Sequence, residues 1–170
     1  VSHTKTMSDG ALGLANLSLD SGGDLRGWLE EEGVLGPEES AEVSLRLPEF
    51  LSLRASVREL FDASIGGGPF PAAALERLND VSARVPRVLR FDSSGPSETP
   101  LVASATPATL ARIAWSAIEL LSPSERSRLR RCGACGHYFV STRSDRRWCS
   151  DACGNRTRVA RYHARRRARA

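Results

Sequence analysis

The chain has 170 residues and a net charge of +4, but residues 126–170 hold 14 arginines against two aspartates, which is +12 and leaves −8 for residues 1–125. Its length allows one ordinary domain and a small appendage that needs help to fold. No apolar run approaches the roughly 18 residues that span a bilayer, and residues 1–19 lack a basic start followed by an apolar core, so we expect a soluble, cytoplasmic protein without membrane contact.

The body, residues 1–125, is predicted to be mainly helical. It starts with a short apolar segment, Leu12 to Leu19, after which apolar side chains recur at helical spacing between Gly and Pro breaks. Three helices follow: one capped by Asp24 and ended by Gly33, one that begins after Pro37 or at Pro48 and stops at Gly66, and one that opens at Pro71 and ends before Pro86.

The last third of the body changes character. Val88 to Phe91 and Leu101 to Ala103 flank a segment rich in Ser, Gly and Pro, which predicts a small β-hairpin with a seven-residue loop, Asp92 to Glu98. A further helix starts at Thr106. Its inward face is predicted to consist of Leu110, Ile113, Ala114, Ala117, Ile118 and Leu121.

Ser122-Pro123-Ser124-Glu125 has the pattern of a capping box, which predicts a short basic helix leading into Cys132. This junction divides the chain into two predicted domains, a helical domain at 1–125 and a small module at 126–170 that contains all four cysteines.

The body offers little catalytic chemistry. Residues 4–125 contain neither His nor Cys, and no Asp or Glu stands in a recognisable pair, so we expect that the protein is not an enzyme. Arg54 and Arg58, four residues apart, either bind an anion or, as is commoner, pair with surface carboxylates. Trp28 and Trp115 are expected to fill the core.

All four cysteines lie within 22 residues with the spacing C-x2-C-x13-C-x3-C. A C-x2-C turn aims two sulfurs at one point, and residues i and i+4 of a helix share a face. The pattern therefore predicts one structural zinc ion bound by Cys132, Cys135, Cys149 and Cys153. Two disulfides are the alternative, which is disfavoured because no secretory signal indicates an oxidising compartment. Four thiolates leave no open position for catalysis.

The zinc module is predicted to fold as a knuckle, a hairpin and a helix. His137 to Thr142 predicts a strand, and Arg143 to Arg147 predicts a turn. After the N-cap Ser150, a helix is expected from Asp151 to about Arg167. Its basic stripe consists of Arg158, Arg161, Arg165 and Arg169. The aromatic and apolar side chains expected to cover the zinc core are Phe139, Trp148, Val159 and Tyr162.

Cys153-Gly154-Asn155-Arg156, with Phe139 and Arg146-Arg147-Trp148-Cys149 before it and Tyr162 after it, resembles the CGNR zinc finger of bacterial proteins. That family joins the finger to an N-terminal helical domain described as a stress-induced transcription regulator, and the body here is similar in length and element order. The resemblance implies zinc binding by the four cysteines and signature positions at Gly154, Asn155 and Arg156. The family's Asp-x-x-Asn-Thr element is present only as Gly13-Leu14-Ala15-Asn16-Leu17.

The Gly-Asn-Arg signature has two interpretations. Gly154 permits close approach of the backbone to the cysteines or to a phosphate, Asn155 donates and accepts hydrogen bonds, and Arg156 can grip a phosphate or a guanine edge. Alternatively, Asn155 and Arg156 hydrogen-bond the finger together.

The leading hypothesis is a transcription regulator that binds duplex DNA. The residues expected to contact phosphates are Arg143, Arg146, Arg147, Arg158, Arg161 and Arg165, and Asn155 and Arg156 are expected at base edges. The resemblance implies that the body senses a small-molecule effector or mediates homodimerisation. The alternatives are an RNA-binding protein in which Tyr138, Phe139 or Trp148 stacks on bases, a protein-interaction module, and an enzyme with the finger as an accessory.

Overall fold

The computed structural model describes residues 4–18, 22–31, 46–101 and 105–168. Within these residues the chain is mainly helical, with two small antiparallel hairpins and a C-terminal cysteine module, which confirms the predicted fold class. The elements are α1 (Thr4–Asn16), α2 (Gly22–Glu31), α3 (Leu47–Gly66), α4 (Ala72–Ala83), β1 (Arg87–Asp92), β2 (Gly95–Pro100), α5 (Ala105–Leu120), a 3-10 turn (Arg126–Arg128), β3 (Leu129–Arg131), β4 (Tyr138–Val140) and α6 (Asp151–Arg167).

Helix α1 is longer than the apolar segment that the sequence predicted. It packs along α5, where the Ala11 backbone N–H donates to Ser116 Oγ at 3.0 Å. Gly13 lies under the Trp28 ring of α2, and a Cβ built at position 13 would be only 2.7 Å from Trp28 Cζ2. The glycines that weaken the helical signal in the sequence therefore serve interhelical packing, which overrides their low helix propensity.

Helices α3 and α4 begin and end where the Pro and Gly signals predicted. Pro48 lies in the first turn of α3, and Gly67 ends that helix with a left-handed φ of 70°. Pro71 is the N-cap of α4. The alternative start after Pro37 and the predicted end at Gly33 lie outside the described residues, and Asp24 is in the first turn of α2 rather than at its N-cap.

The first hairpin has a shorter loop than predicted. β1 and β2 pair from Arg87 opposite Pro100 to Asp92 opposite Gly95, which leaves two residues in the turn instead of seven. Asp92 Oδ1 accepts from the Ser94 backbone N–H at 2.8 Å, and Gly95 has a φ of 113°. These two features close the turn early.

Helix α5 lies at the centre of the body and packs on both α1 and α4. Its predicted inward face is confirmed except at Ile118, which is 40% exposed. Trp115 is buried and donates from Nε1 to the Ser82 carbonyl at 3.2 Å. Trp28 packs on the edge of the main core, so both tryptophans have the packing role that the sequence indicated.

The capping-box pattern at 122–125 does not start the predicted basic helix. The Ser122 carbonyl accepts from the Glu125 and Arg126 backbone N–H groups in a tight turn, which leads into the 3-10 turn and then β3. Leu129 is fully buried in the core of the body and pairs with Val140 of β4. Burial of that side chain in an extended strand outweighs the local helical signal.

No helix among the described residues combines the length and the apolar character that crossing a membrane requires.

A candidate metal centre and its basic helix

The first cysteine pair lies in a tight turn between β3 and β4. The Cys132 backbone N–H donates to the His137 carbonyl at 2.8 Å, and the Gly136 N–H donates back to the Cys132 carbonyl at 2.9 Å. Gly136 has a φ of 75°, a left-handed conformation that closes the knuckle with little strain. The Cys132 side chain is thereby buried while Cys135 stays exposed.

The second pair spans the start of α6. Ser150 is the N-cap, and its Oγ accepts from the Cys153 backbone N–H at 3.3 Å. Cys149 lies just before this cap and Cys153 lies in the first turn. The cap thereby brings the sulfurs of Cys149 and Cys153 together at the N-terminal end of α6.

The four thiols converge on one point. Their Sγ atoms all lie within 4.8 Å of one another, with Cys135 and Cys149 at 3.6 Å and Cys149 and Cys153 at 3.8 Å. A tetrahedral zinc ion with Zn–S distances of about 2.3 Å separates its sulfurs by about 3.8 Å. All four thiols are free. The residues therefore fit one zinc ion, which four thiolates would hold without an open coordination position.

The pKa values of the metal-free thiols are shifted in different directions by their surroundings. Burial acts to raise the pKa of Cys132, but backbone hydrogen bonds from Cys149, Ala134 and Cys135 outweigh it and lower the pKa to about 6. Burial and the neighbouring thiols raise the pKa of Cys149 to about 12. A backbone hydrogen bond from His137 acts to lower the pKa of Cys135, but burial and two neighbouring thiols raise it.

Aromatic and arginine side chains close the finger around the cysteines. Phe139 and Trp148 pack against them, as predicted. Arg146 donates from Nε to the Trp148 carbonyl at 3.0 Å and from one Nη to the Cys149 carbonyl at 2.8 Å, and its guanidinium lies 5.7 Å from the Phe139 ring centroid. Arg146, which the sequence suggested as a phosphate contact, therefore holds the segment that carries Cys149.

The finger packs directly against the body. Tyr138 of β4 is 2% exposed and belongs to the main core. Its ring packs edge-on against the ring of Phe61 of α3, with the two ring centroids 5.4 Å apart. At the end of α1, Asn16 Nδ2 donates to the Tyr138 carbonyl at 2.8 Å, and the Tyr138 N–H donates to Asn16 Oδ1 at 2.7 Å. Arg131 of β3 forms an ion pair with Asp62 of α3 at 3.3 Å. These contacts fix the zinc module on the helical body.

Helix α6 leaves this packed region after its first turn. Cys153 and Gly154 are buried, but every residue from Arg158 to Arg167 is exposed. The helix carries six arginines and one aspartate, a net charge of +5. Val159 and Tyr162, expected to cover the zinc core, are 55% and 53% exposed, so that prediction is wrong. The helix runs away from the core instead of lying across it.

The predicted nucleic-acid contacts differ in their surroundings. Arg143 forms an ion pair with Asp145 at 3.1 Å, which raises the Arg143 pKa. Asn155 Oδ1 accepts from Arg158 one turn later on α6. No other described residue hydrogen-bonds or ion-pairs with the side chains of four exposed arginines, Arg147, Arg156, Arg161 and Arg165. Arg169, the last member of the predicted stripe, lies outside the described residues.

The three signature residues differ in their burial. Gly154 is buried, and a Cβ there would meet Trp148 Cε3 at 3.6 Å, an ordinary contact distance. Asn155 and Arg156 are exposed on α6. Within the described part of the chain, neither side chain bonds to the knuckle, so the interpretation that they tie the finger together finds no support.

The sequence analysis missed the role of two residues in joining the finger to the body. Asn16 and Tyr138 join the domains, yet the only signal for Asn16 is the partial likeness of residues 13–17 to the family's Asp-x-x-Asn-Thr element. Tyr138 and Phe139 were candidates for stacking on bases, but both rings are buried in the fold and offer no face to a base.

Fold and site together define a protein with a helical body and a docked four-cysteine zinc finger. Residues 9–123 match the family described as "Putative stress-induced transcription regulator", and residues 128–166 match the CGNR zinc finger. Because the first match covers more than half of the chain, the protein belongs to that family, which confirms the resemblance seen in the sequence. Among curated proteins, none matches the chain.

Proposed function

We propose that the protein is a transcription regulator that binds duplex DNA through α6. The observation that carries this proposal is the exposure of α6: ten consecutive residues, 158–167, stand clear of the fold and five of them are arginine. An α-helix fits the major groove of B-DNA, and arginines along it neutralise the flanking phosphates. The family described as a transcription regulator supports the same reading.

The arginines of the finger divide into different roles in this proposal. Arg147, Arg161 and Arg165 contact phosphates, because their side chains are exposed and bind no other described residue. Asn155 and Arg156 lie near the start of α6 and supply the base contacts, while Arg158, which donates to Asn155, contacts a phosphate. Arg143 must first break its ion pair with Asp145 before it can bind a phosphate, so its contribution to DNA affinity is smaller.

The zinc ion has a structural role in this proposal, and the protein is not an enzyme. Four thiolates close the coordination sphere, and the metal holds the start of α6 in place. The body then acts as a small-molecule sensor or a dimerisation domain. A cytoplasmic location is part of this proposal, because a regulator that acts on DNA must reach it.

RNA binding is the second candidate, and one observation favours it. Tyr162 is 53% exposed in the middle of the basic helix, with Arg166 5.9 Å from its ring centroid. An exposed aromatic ring among arginines can stack on an unpaired base.

The experiment that separates these candidates is fluorescence anisotropy of the zinc-loaded protein on duplex DNA and on single-stranded RNA at equal salt. Tighter binding to duplex, lost in Cys149→Ser, supports the DNA regulator. Tighter binding to RNA, lost in Tyr162→Ala, supports the second candidate. Absence of binding to either would contradict both and leave the finger as a protein-interaction module.

A further inference from the structure

Two arginines of α3 lie beside the finger without a carboxylate partner among the described residues. Arg58 donates to the Ala15 carbonyl at 2.6 Å, and its guanidinium lies 5.3 Å from the centroid of the Tyr138 ring. Arg54 lies one helical turn earlier, and its Nε is shielded from solvent without a hydrogen-bond partner in the described part of the chain. The sequence indicated that this pair either binds an anion or pairs with surface carboxylates, and the described residues show no such carboxylate pairing.

The pair is electrostatically unfavourable as it stands. Burial lowers the pKa of Arg54, and the positive charge of Arg58 lowers it further. Like charges one turn apart on a helix repel, and a shielded N–H without an acceptor costs free energy. Such a group in a native fold calls for an explanation, and an anion from outside the chain would supply the missing acceptor.

The carboxylate of α3 that contacts the finger does not supply that acceptor. Asp62, one further turn along α3, forms an ion pair with Arg131 of the finger at 3.3 Å. Arginines from the body and from the finger both approach the ring of Tyr138, Arg58 to 5.3 Å and Arg131 to 5.6 Å from its centroid. Among the described residues, the carboxylate of Asp62 is therefore paired with Arg131, while Arg54 and Arg58 have no ion pair.

We propose that Arg54 and Arg58 form a binding site for a phosphate group at the junction of body and finger. Guanidinium forks match the oxygens of a phosphate in two-pronged hydrogen bonds, and the anion would satisfy the orphan Nε and offset the repulsion within the pair. The group comes either from a small phosphorylated metabolite or from the backbone of a bound nucleic acid. The site is separate from α6 and goes beyond the proposed function.

The position of the site gives it a means to influence the finger. Arg58 contacts both Ala15, next to Asn16 on α1, and the Tyr138 ring. A phosphate held by Arg58 therefore lies beside the contacts that fix β4 on the body. Occupation of the site stabilises the docked arrangement, because the anion binds the folded chain and not the unfolded one.

The first arm of the test uses inorganic phosphate and no nucleic acid. Thermal unfolding of the full zinc-loaded chain is followed in sodium phosphate and in sodium chloride of equal ionic strength. We compare the wild type with Arg54→Gln, with Arg54→Lys, which keeps the charge but loses the fork, and with Arg77→Gln as the matched control. Arg77 is an exposed arginine of α4. Unfolding in phosphate-free buffer reports whether each variant is folded.

If the site binds small phosphorylated ligands, phosphate should raise the melting temperature of the wild type and of Arg77→Gln by about 2–4 °C, with saturation. This rise should be lost in Arg54→Gln. The second arm measures duplex DNA binding against salt. A nucleic-acid phosphate predicts that Arg54→Gln reduces the magnitude of the salt slope by about 1. Either result supports the phosphate site and identifies which kind of molecule supplies the phosphate.

The proposal is overturned if Arg54→Gln behaves as the wild type in both arms. Failure of the proposed DNA function has a different signature, because the phosphate-dependent rise in melting temperature does not involve α6.

Discussion

Asn16 and Tyr138, 122 positions apart, are joined by two hydrogen bonds of 2.8 and 2.7 Å between the amide of Asn16 and the backbone of Tyr138. The asparagine pairs with β4 much as a neighbouring strand would, on the side that faces α1. Because the partner groups belong to the backbone, the contact reports the position of the strand and not the identity of its side chain. These hydrogen bonds make the finger part of the body's fold rather than an independent domain on a linker.

Replacing Asn16 with alanine should loosen this junction. Asn16→Ala leaves the N–H and C=O of Tyr138 without their partners, and we expect a loss of about 2–4 kcal/mol in the free energy of unfolding. Asn79→Ala, at an exposed position of α4, is the matched control and should stay within about 0.5 kcal/mol of the wild type. Chemical denaturation measures both. Equal stability of the two variants would show that the Asn16 contact contributes nothing.

Gly13 tests the packing of α1 on α2. Gly13→Ala places a Cβ 2.7 Å from Trp28 Cζ2, so we expect destabilisation by about 1–3 kcal/mol despite the better helix propensity of alanine. Gly27→Ala on α2 is the control, because a Cβ there meets no atom within 4 Å. That variant should be stabilised by about 0.5–1 kcal/mol. A stabilising effect at both positions would contradict the described approach of Trp28 to α1.

Zinc affinity should rise steeply with pH. The raised pKa values of Cys135 and of Cys149, which is at about 12, mean that both thiols still hold protons at neutral pH. Zinc must displace those protons, so affinity should increase by at least about 100-fold per pH unit between pH 6 and pH 8. Cys132, with a pKa of about 6, adds a further proton only below that pH, where the dependence should steepen.

Competition with a chelator of known affinity at pH 5.5, 6, 7 and 8 measures this dependence. A pH-independent affinity would contradict the assignment of protonated thiols to the metal-free site.

Arg146 and Arg147 are adjacent in sequence but should behave differently. Arg146→Ala removes two hydrogen bonds to the carbonyls of Trp148 and Cys149, so it should lower the melting temperature and weaken zinc binding. Arg147→Ala removes an exposed charge, so it should leave both unchanged and reduce the DNA salt slope by about 1. Each variant is the control for the other, and matching losses of zinc affinity would refute the division of roles.

The metal site was predictable because its signals are local. Ligand spacing, the Ser150 cap and the Pro and Gly boundaries of α3 and α4 all act within a few residues, and the structure follows them. Helical periodicity also gave the inner face of α5. It was less useful for α6, since a period tells which residues share a face but not whether another element covers that face. Val159 and Tyr162 show the consequence.

The remaining features depend on contacts between distant segments. The capping-box pattern at 122–125 gave way to β3 because Leu129 finds a buried place in the body. Helix α1 forms across two glycines because α5 and Trp28 pack against it. No local pattern links Asn16 to Tyr138 or leaves Arg54 Nε without a hydrogen-bond partner among the described residues, so neither relationship was open to sequence reasoning.

The most direct test of the account is the salt dependence of duplex DNA binding by the wild type and by the triple variant Arg158→Gln, Arg161→Gln, Arg165→Gln. The three side chains are exposed on α6, so the variant should fold and bind zinc as the wild type does. We predict that the slope of log affinity against log salt falls in magnitude by about 3 in the triple variant. An unchanged slope in a folded, zinc-loaded variant would contradict the claim that α6 binds DNA.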